Sequence, residues 1–204
     1  MKASATGNAP RSDLEPPRQT PSRQGAAVHM IYIVGTNHRF QVADEQSTPQ
    51  ELISFRRFIA STCCTLDISV IAEEMSVEAV AQRGRTESVC LQEARRVGLA
   101  HRYCDPDTPA RAARGIREEC DLEIAAFFGR IPHEDLPKAV RDEFAKREAM
   151  WLEELRHLDG RPVLFVCGAR HALTFNDLLN REGTRGQVLV ERWSPNPVLE
   201  RAGE

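Results

Sequence analysis

The chain alternates between two hydrophobic patterns. Short, continuous apolar runs stand at MIYIVG (30–35), LDISVIA (66–72), LAHRYC (99–104), RPVLFVCG (161–168) and GQVLVERW (186–193). Runs that are apolar throughout, rather than at every second position, belong to strands covered on both faces, as in a parallel sheet. Between them, apolar residues recur at helical spacing. TPQELISFRRFIAST (48–62) opens with a Thr cap and a Pro at the first helical position. Residues 85–97 form a short amphipathic piece, and 109–128 a helix that is most apolar toward its C-terminal end. IPHEDLPKAVRDEFAKREAMWLEELRHL (131–158) is the longest helical pattern, and HALTFNDLLNREG (171–183) stops at a Gly. Strand and helix in alternation predict an α/β fold of three layers, with a mostly parallel central sheet flanked by helices.

Residues 1–28 depart from this pattern. They are rich in Pro, Ser, Gln, Arg and Gly and carry no apolar periodicity, which predicts a disordered tail ahead of a single α/β domain at 29–204. Met30 directly precedes the first strand, so Met1 and Met30 are both candidate starts of translation. The chain has 204 residues, 41% hydrophobic and 28% charged, with a net charge of -3. That balance gives no reason to expect nucleic acid or an anionic membrane as a partner. No apolar run approaches the roughly 20 residues that span a bilayer, and the first residues lack the apolar centre of a signal peptide. A cytoplasmic protein acting on a small molecule or peptide is the expectation. The six cysteines form no CxxC pair, and reduced, mostly buried thiols are expected.

Polar residues of chemical interest collect where the predicted strands end. Ligands of open α/β sheets bind at the carboxyl ends of the strands. IYIVGTNH and VLFVCGARH both run strand, Gly, two residues, His, and so place His38 and His171 just beyond two strand exits. Glu73 and Glu74 close a third strand; Asp105 and Asp107 close a fourth. A glycine at a strand exit permits a tight turn and close backbone approach. A single GxxH is a weak motif, because strand-to-helix turns favour Gly and a His there can simply cap a helix. Two copies at matching ends, with an acidic pair on a third, point to a shared site. Two imidazoles and a carboxylate suit either a hydrolytic metal centre or acid–base chemistry without metal. Side chains alternate along a strand, so Glu73 and Glu74 cannot both face that site unless the strand has already turned.

Arg147 adds a separate argument. The apolar stripe of the long helix runs Leu136, Val140, Phe144, Trp151, Leu155, Leu158, and Arg147 falls within it. A guanidinium on a buried face needs a partner, and a strand-end carboxylate or a substrate anion would supply one. Glu148 beside it reads as a solvated residue. Among the other histidines, His101 reads as a packed strand residue, His133 as a cap of the long helix, and His157 as a cation in its last turn.

Two GxxH motifs (Gly35–His38, Gly168–His171), a glutamate after an early strand (Glu73 or Glu74) and a helix arginine (Arg147) resemble the TraB/Tiki superfamily. That group also takes in ChaN-like and erythromycin-esterase-like proteins. The stretches VIAEEMS, YCDPD and VLFVCGARHALTF are similar to small bacterial proteins of this kind, and the resemblance covers residues 30–192. It implies an α/β core with one polar site but not one chemistry. Tiki-like members are regarded as metal-dependent proteases, esterase-like members use Glu and His to activate water, and ChaN-like members bind haem. The acidic pair departs from the family's single glutamate.

The sequence thus leads to a hydrolase, peptidase- or esterase-like, with His38, His171 and Glu73 as ligands of a divalent metal. Glu73, Glu74, Arg147 and Asp105 are its candidate catalytic groups. The alternative is a non-catalytic protein that holds haem, a metal or a nucleotide in the same pocket.

Overall fold

A computed structural model describes residues 30–158 and 160–195; the expected tail at 1–28 lies outside them. Five strands, β1 (Met30–Thr36), β2 (Val70–Glu73), β3 (Ala100–Tyr103), β4 (Val163–Gly168) and β5 (Arg185–Val190), form one sheet in the order β3-β2-β4-β1-β5. Every pairing is parallel. Helices cover both faces, which gives the three-layer α/β architecture. On one face, α7 (Leu136–Arg156) and α8 (Ala172–Arg181) pack Trp151, Leu155, Phe175 and Leu179 against Ile31, Ile33, Val163 and Phe165. On the other, α2 (Pro49–Thr65) and α4 (Val89–Val97) pack Phe55, Ile59, Val89 and Ala94 against Val34, Ile71, Leu164 and Val166. β1, β2 and β4 therefore send side chains into two separate cores, which is why they read as unbroken apolar runs.

Most expected elements are present, with displaced ends. α2 continues through Cys63, Cys64 and Thr65, and Asp67 reverses the chain at a φ of 50°. The strand expected from Leu66 accordingly begins at Val70. The helix expected over 109–128 is two, α5 (Thr108–Ala113) and α6 (Glu119–Phe127). Gly115, at a φ of 62°, separates them, and buried Ile116 anchors the link. The long helix starts at Leu136, capped by Asp135 rather than His133, with Pro137 in its first turn. Two short helices fall outside the expected pattern: α1 (His38–Val42), capped by Asn37, and α3 (Val77–Gln82), capped by Ser76. No helix among the described residues is long and apolar enough to cross a membrane.

Adjacent pairing of β1 and β4 brings the two GxxH motifs together. Thr36 stands opposite Gly168, and the Ala169 N–H donates to the Thr36 carbonyl at 2.9 Å. The glycines serve different purposes. A Cβ on Gly35 would lie 2.0 Å from the Glu191 carbonyl oxygen, so Gly35 admits the chain after β5, whose Trp193 N–H donates to the Gly35 carbonyl at 2.7 Å. A Cβ on Gly168 would lie 2.9 Å from His38 Nε2 and 3.3 Å from Glu74 Oε2. Gly168 thus leaves room for the site itself.

Candidate functional site

The ladder of β2 ends at Glu73, but one further bond, Glu74 N–H to the Val166 carbonyl at 2.8 Å, carries the alternation on by a residue. Successive strand residues face opposite ways, so the two glutamates separate. Glu74 turns to the α7/α8 side. Its side chain is fully buried; Oε1 accepts from Arg147 Nη2 at 2.8 Å and Oε2 from the Gly168 N–H at 2.7 Å. His38 Nε2 stands 3.3 Å from Oε2 and His171 Nε2 3.6 Å from Oε1. One carboxylate from β2 thus lies between the histidines that follow β1 and β4.

Glu73 goes the other way. Its Oε1 takes His101 Nε2 at 2.8 Å and the Ser88 hydroxyl, and its Oε2 accepts from Gln41 Nε2 at 3.2 Å. Glu73 is therefore removed from both roles given to it above, catalytic and metal-ligating: it sits across the sheet from both histidines. His101, expected simply to pack, is its hydrogen-bonding partner.

Arg147 lies on the buried stripe between Phe144 and Trp151 and bridges two carboxylates. Besides Glu74, its Nε and Nη2 donate to Asp105 Oδ1 at 3.1 and 2.9 Å. Trp151 Nε1 donates to the same oxygen at 2.9 Å, and Arg111 takes the other one. Asp105 is thus fully engaged in holding Arg147 and does not reach the histidines; it acts as an orienting group.

His171 caps α8 in the chain direction, while its side chain faces α7. Nδ1 stands 2.8 Å from Glu148 Oε1, which also accepts from the Thr174 hydroxyl at 2.6 Å. Phe144 and Trp151 wall the imidazole, with ring centroids at 4.1 and 4.8 Å. Glu148, read above as solvated, is buried at 3% exposure. The signal was there: Glu148 is four residues after Phe144, three before Trp151 and four before Leu152, so it lies on the stripe as much as Arg147 does. Nδ1 is held by Glu148 and Nε2 faces Glu74, an arrangement that fixes the orientation of the ring.

Charge follows from this packing. Burial disfavours a charged His38, but the Glu74 carboxylate beside it overrides that and raises its pKa above the ordinary value. Burial also works against an ionised Glu74, yet His38, His171 and Arg147 together hold its pKa well below the usual carboxylate range. Burial and the charge of Glu74 push the adjacent Cys167 thiol far up, so it is an inert neighbour and not a nucleophile.

His38, Glu74, Arg147 and His171 line a cavity of about 850 Å³, which also takes in Thr36, Arg39, Arg83, Arg117, Arg170 and Arg192. The Thr36 hydroxyl is a buried atom without a hydrogen-bond partner among the described residues, and buried His38 Nε2 has none beyond its 3.3 Å ion pair with Glu74. Buried polar atoms are nearly always satisfied by something, so both are open to a ligand or water.

Two imidazoles and a carboxylate are the donor chemistry of zinc, manganese, cobalt or iron sites. As arranged, however, both Glu74 oxygens already accept N–H groups, one from a permanent cation, and no group of three His, Cys, Asp or Glu side chains among the described residues is disposed to hold a metal ion. The residues in this arrangement do not fit a resident divalent metal.

No protein-family model matches the chain, and neither does any curated protein or solved structure with which it was compared.

Proposed function

We propose that this cavity hydrolyses an ester or amide by acid–base chemistry, with His171 as general base and His38 as general acid. The observation that carries the reading is the chain of contacts Glu148–His171–Glu74–His38, whose last three members line the cavity. His171, oriented by Glu148, takes a proton from a water as the water oxygen bonds to the substrate carbonyl carbon. The bond from that carbon to the leaving oxygen or nitrogen then breaks, and His38 gives its Nε2 proton to the leaving group. The raised pKa of His38 keeps that proton available, and Glu74 keeps it raised. Arg147, fixed by Asp105, offsets the buried charge of Glu74 and holds the carboxylate between the two rings. The TraB/Tiki resemblance fits this reading at His38, Glu74, Arg147 and His171.

Release of chromophore from a panel of nitrophenyl esters and quenched peptides, wild type beside His171→Ala, tests it. Turnover that disappears in a variant with an unchanged circular dichroism spectrum supports the reading. Turnover equal in both proteins sinks it. Elemental mass spectrometry on the same samples tests the metal reading. Near-stoichiometric metal that is lost in the folded His38→Ala/His171→Ala variant would replace direct water activation with metal-assisted hydrolysis at the same residues.

A further inference from the structure

The cavity wall carries more arginine than a hydrolytic site needs. Six arginines line it, and four are answered by nearby carboxylates. Arg39 pairs with Glu51 at 2.9 Å, Arg117 with Glu143 at 3.1 Å, Arg147 with Glu74 at 2.8 Å, and Arg170 with Glu119 at 2.6 Å. Arg83 and Arg192 are different. Among the described residues Arg83 pairs with Asp44 at 4.0 Å, and the Arg83 side chain is 46% exposed. Arg192 is exposed and has no ion-pair partner among the described residues.

Both lie toward the His38 exit. Arg83 caps the end of α3, close enough for its charge to oppose protonation of His38. Arg192 precedes Trp193, whose N–H is bonded to the Gly35 carbonyl and whose ring packs edge-on against Phe40 at 5.1 Å. Two guanidiniums from separate elements thus line one cavity, Arg83 held only by the 4.0 Å pairing to Asp44 and Arg192 by no ion-pair partner among the described residues. Planar guanidiniums with free N–H groups match carboxylate and phosphate oxygens. The floor imposes the converse: ionised Glu74 repels an anion at the reacting end.

We propose that the substrate carries an anionic group, a carboxylate or a phosphate, on the side of its scissile carbonyl that faces the cavity mouth, and that Arg83 and Arg192 hold it. The inference rests on the hydrolase reading for the position of the carbonyl, while the anion subsite stands on the arginines alone. The expected substrate class is the half-ester or half-amide of a diacid, or a phosphorylated counterpart, neutral where it is cut and charged at the far end.

A matched ester pair tests this: the mono-4-nitrophenyl ester of glutarate against neutral 4-nitrophenyl butyrate. Wild type should favour the charged ester in kcat/KM by about tenfold or more, the scale of one charge-assisted contact. The preference should shrink with added NaCl and collapse toward parity in Arg83→Ala/Arg192→Ala. Arg95→Ala, on the outer face of α4, should keep it. Calorimetric titration of wild type and the double variant with glutarate and with inorganic phosphate reads the subsite without turnover, and the tighter binder tells a carboxylate from a phosphoryl group. If no ester is cleaved, yet either anion binds wild type and not the double variant, the hydrolase reading fails and the anion subsite stands. If both esters are cleaved equally, or if both anions bind the two proteins alike or neither at all, the inference is overturned.

Discussion

Glu73 and Glu74 are neighbours in sequence, both fully buried, and separated by the thickness of one sheet. Glu73 is walled in by Ser88, His101 and Gln41, each from a different element. Glu74 has a comparable count of partners, but one of them, His38, is 36% exposed and opens on a cavity. The difference lies in access rather than in residue type or burial. A closed network of hydrogen bonds fixes how elements sit, whereas one with an edge at a cavity can exchange protons with something that enters.

Substitutions on the two sides should therefore fail in different ways. The largest expected effect is on catalysis: His171→Ala should lower kcat/KM by roughly 10³-fold, with folding retained. A loss of fold would place His171 with the closed network instead. Next, Glu73→Ala should cost about 3–5 kcal/mol in urea unfolding, because it leaves buried donors without an acceptor. The fraction that stays folded should keep its activity. Activity lost without destabilisation would mean that the two sides are not separate.

The two motif glycines offer a smaller version of the same contrast. Gly35→Ala puts a Cβ against rigid backbone at 2.0 Å and should destabilise by about 1–3 kcal/mol. Gly168→Ala meets the end of the His38 side chain at 2.9 Å, and that partly exposed ring can move. It should cost less stability and about tenfold in kcat, since a displaced acid is a misaligned one. Equal loss of stability in both would make Gly168 a packing residue.

The subtlest test is the pH dependence of stability. A lowered Glu74 pKa stabilises above about pH 4.5 and is lost as pH falls through the folded value; a raised His38 pKa stabilises below about 6.5 and is lost as pH rises through the folded value. The stability gap between wild type and Glu74→Gln should thus be widest between those two values and narrow on either side. A gap that is flat with pH would uncouple the pair. EDTA should leave the melting temperature unchanged; a drop would favour a bound metal.

The three inner strands were legible because unbroken runs such as MIYIVG and VLFVCG need two cores to bury them, and the edge strands β3 and β5 were read from LAHRYC and GQVLVERW although they are exposed or half-buried throughout. Strand ends were less legible. Helix α2 overran its expected end at Thr62 because Cys63 packs and Cys64 continues its turns, and sequence periodicity carries no signal for where Asp67 turns left-handed. The histidines, Arg147 and Asp105 could be chosen from strand ends and a helix stripe. Which glutamate joins them could not, because alternation gives opposite faces without saying which face holds the histidines. Glu148 was missed although its place on the stripe matches that of Arg147; its partner His171, 23 residues on, is named only by the fold.

The two imidazoles belong to strands that are adjacent in space yet about 130 residues apart in the chain. During synthesis β1 emerges well before its neighbour on the site side, β4. Contacts between such distant segments carry the greatest loop-closure cost and form late in folding. A nascent chain carrying only the first half has Glu74 and His38 but neither Arg147 nor His171. The four groups therefore cannot meet until both α7 and β4 have been made, and recovery of the proposed activity on refolding should coincide with the slowest step of sheet assembly.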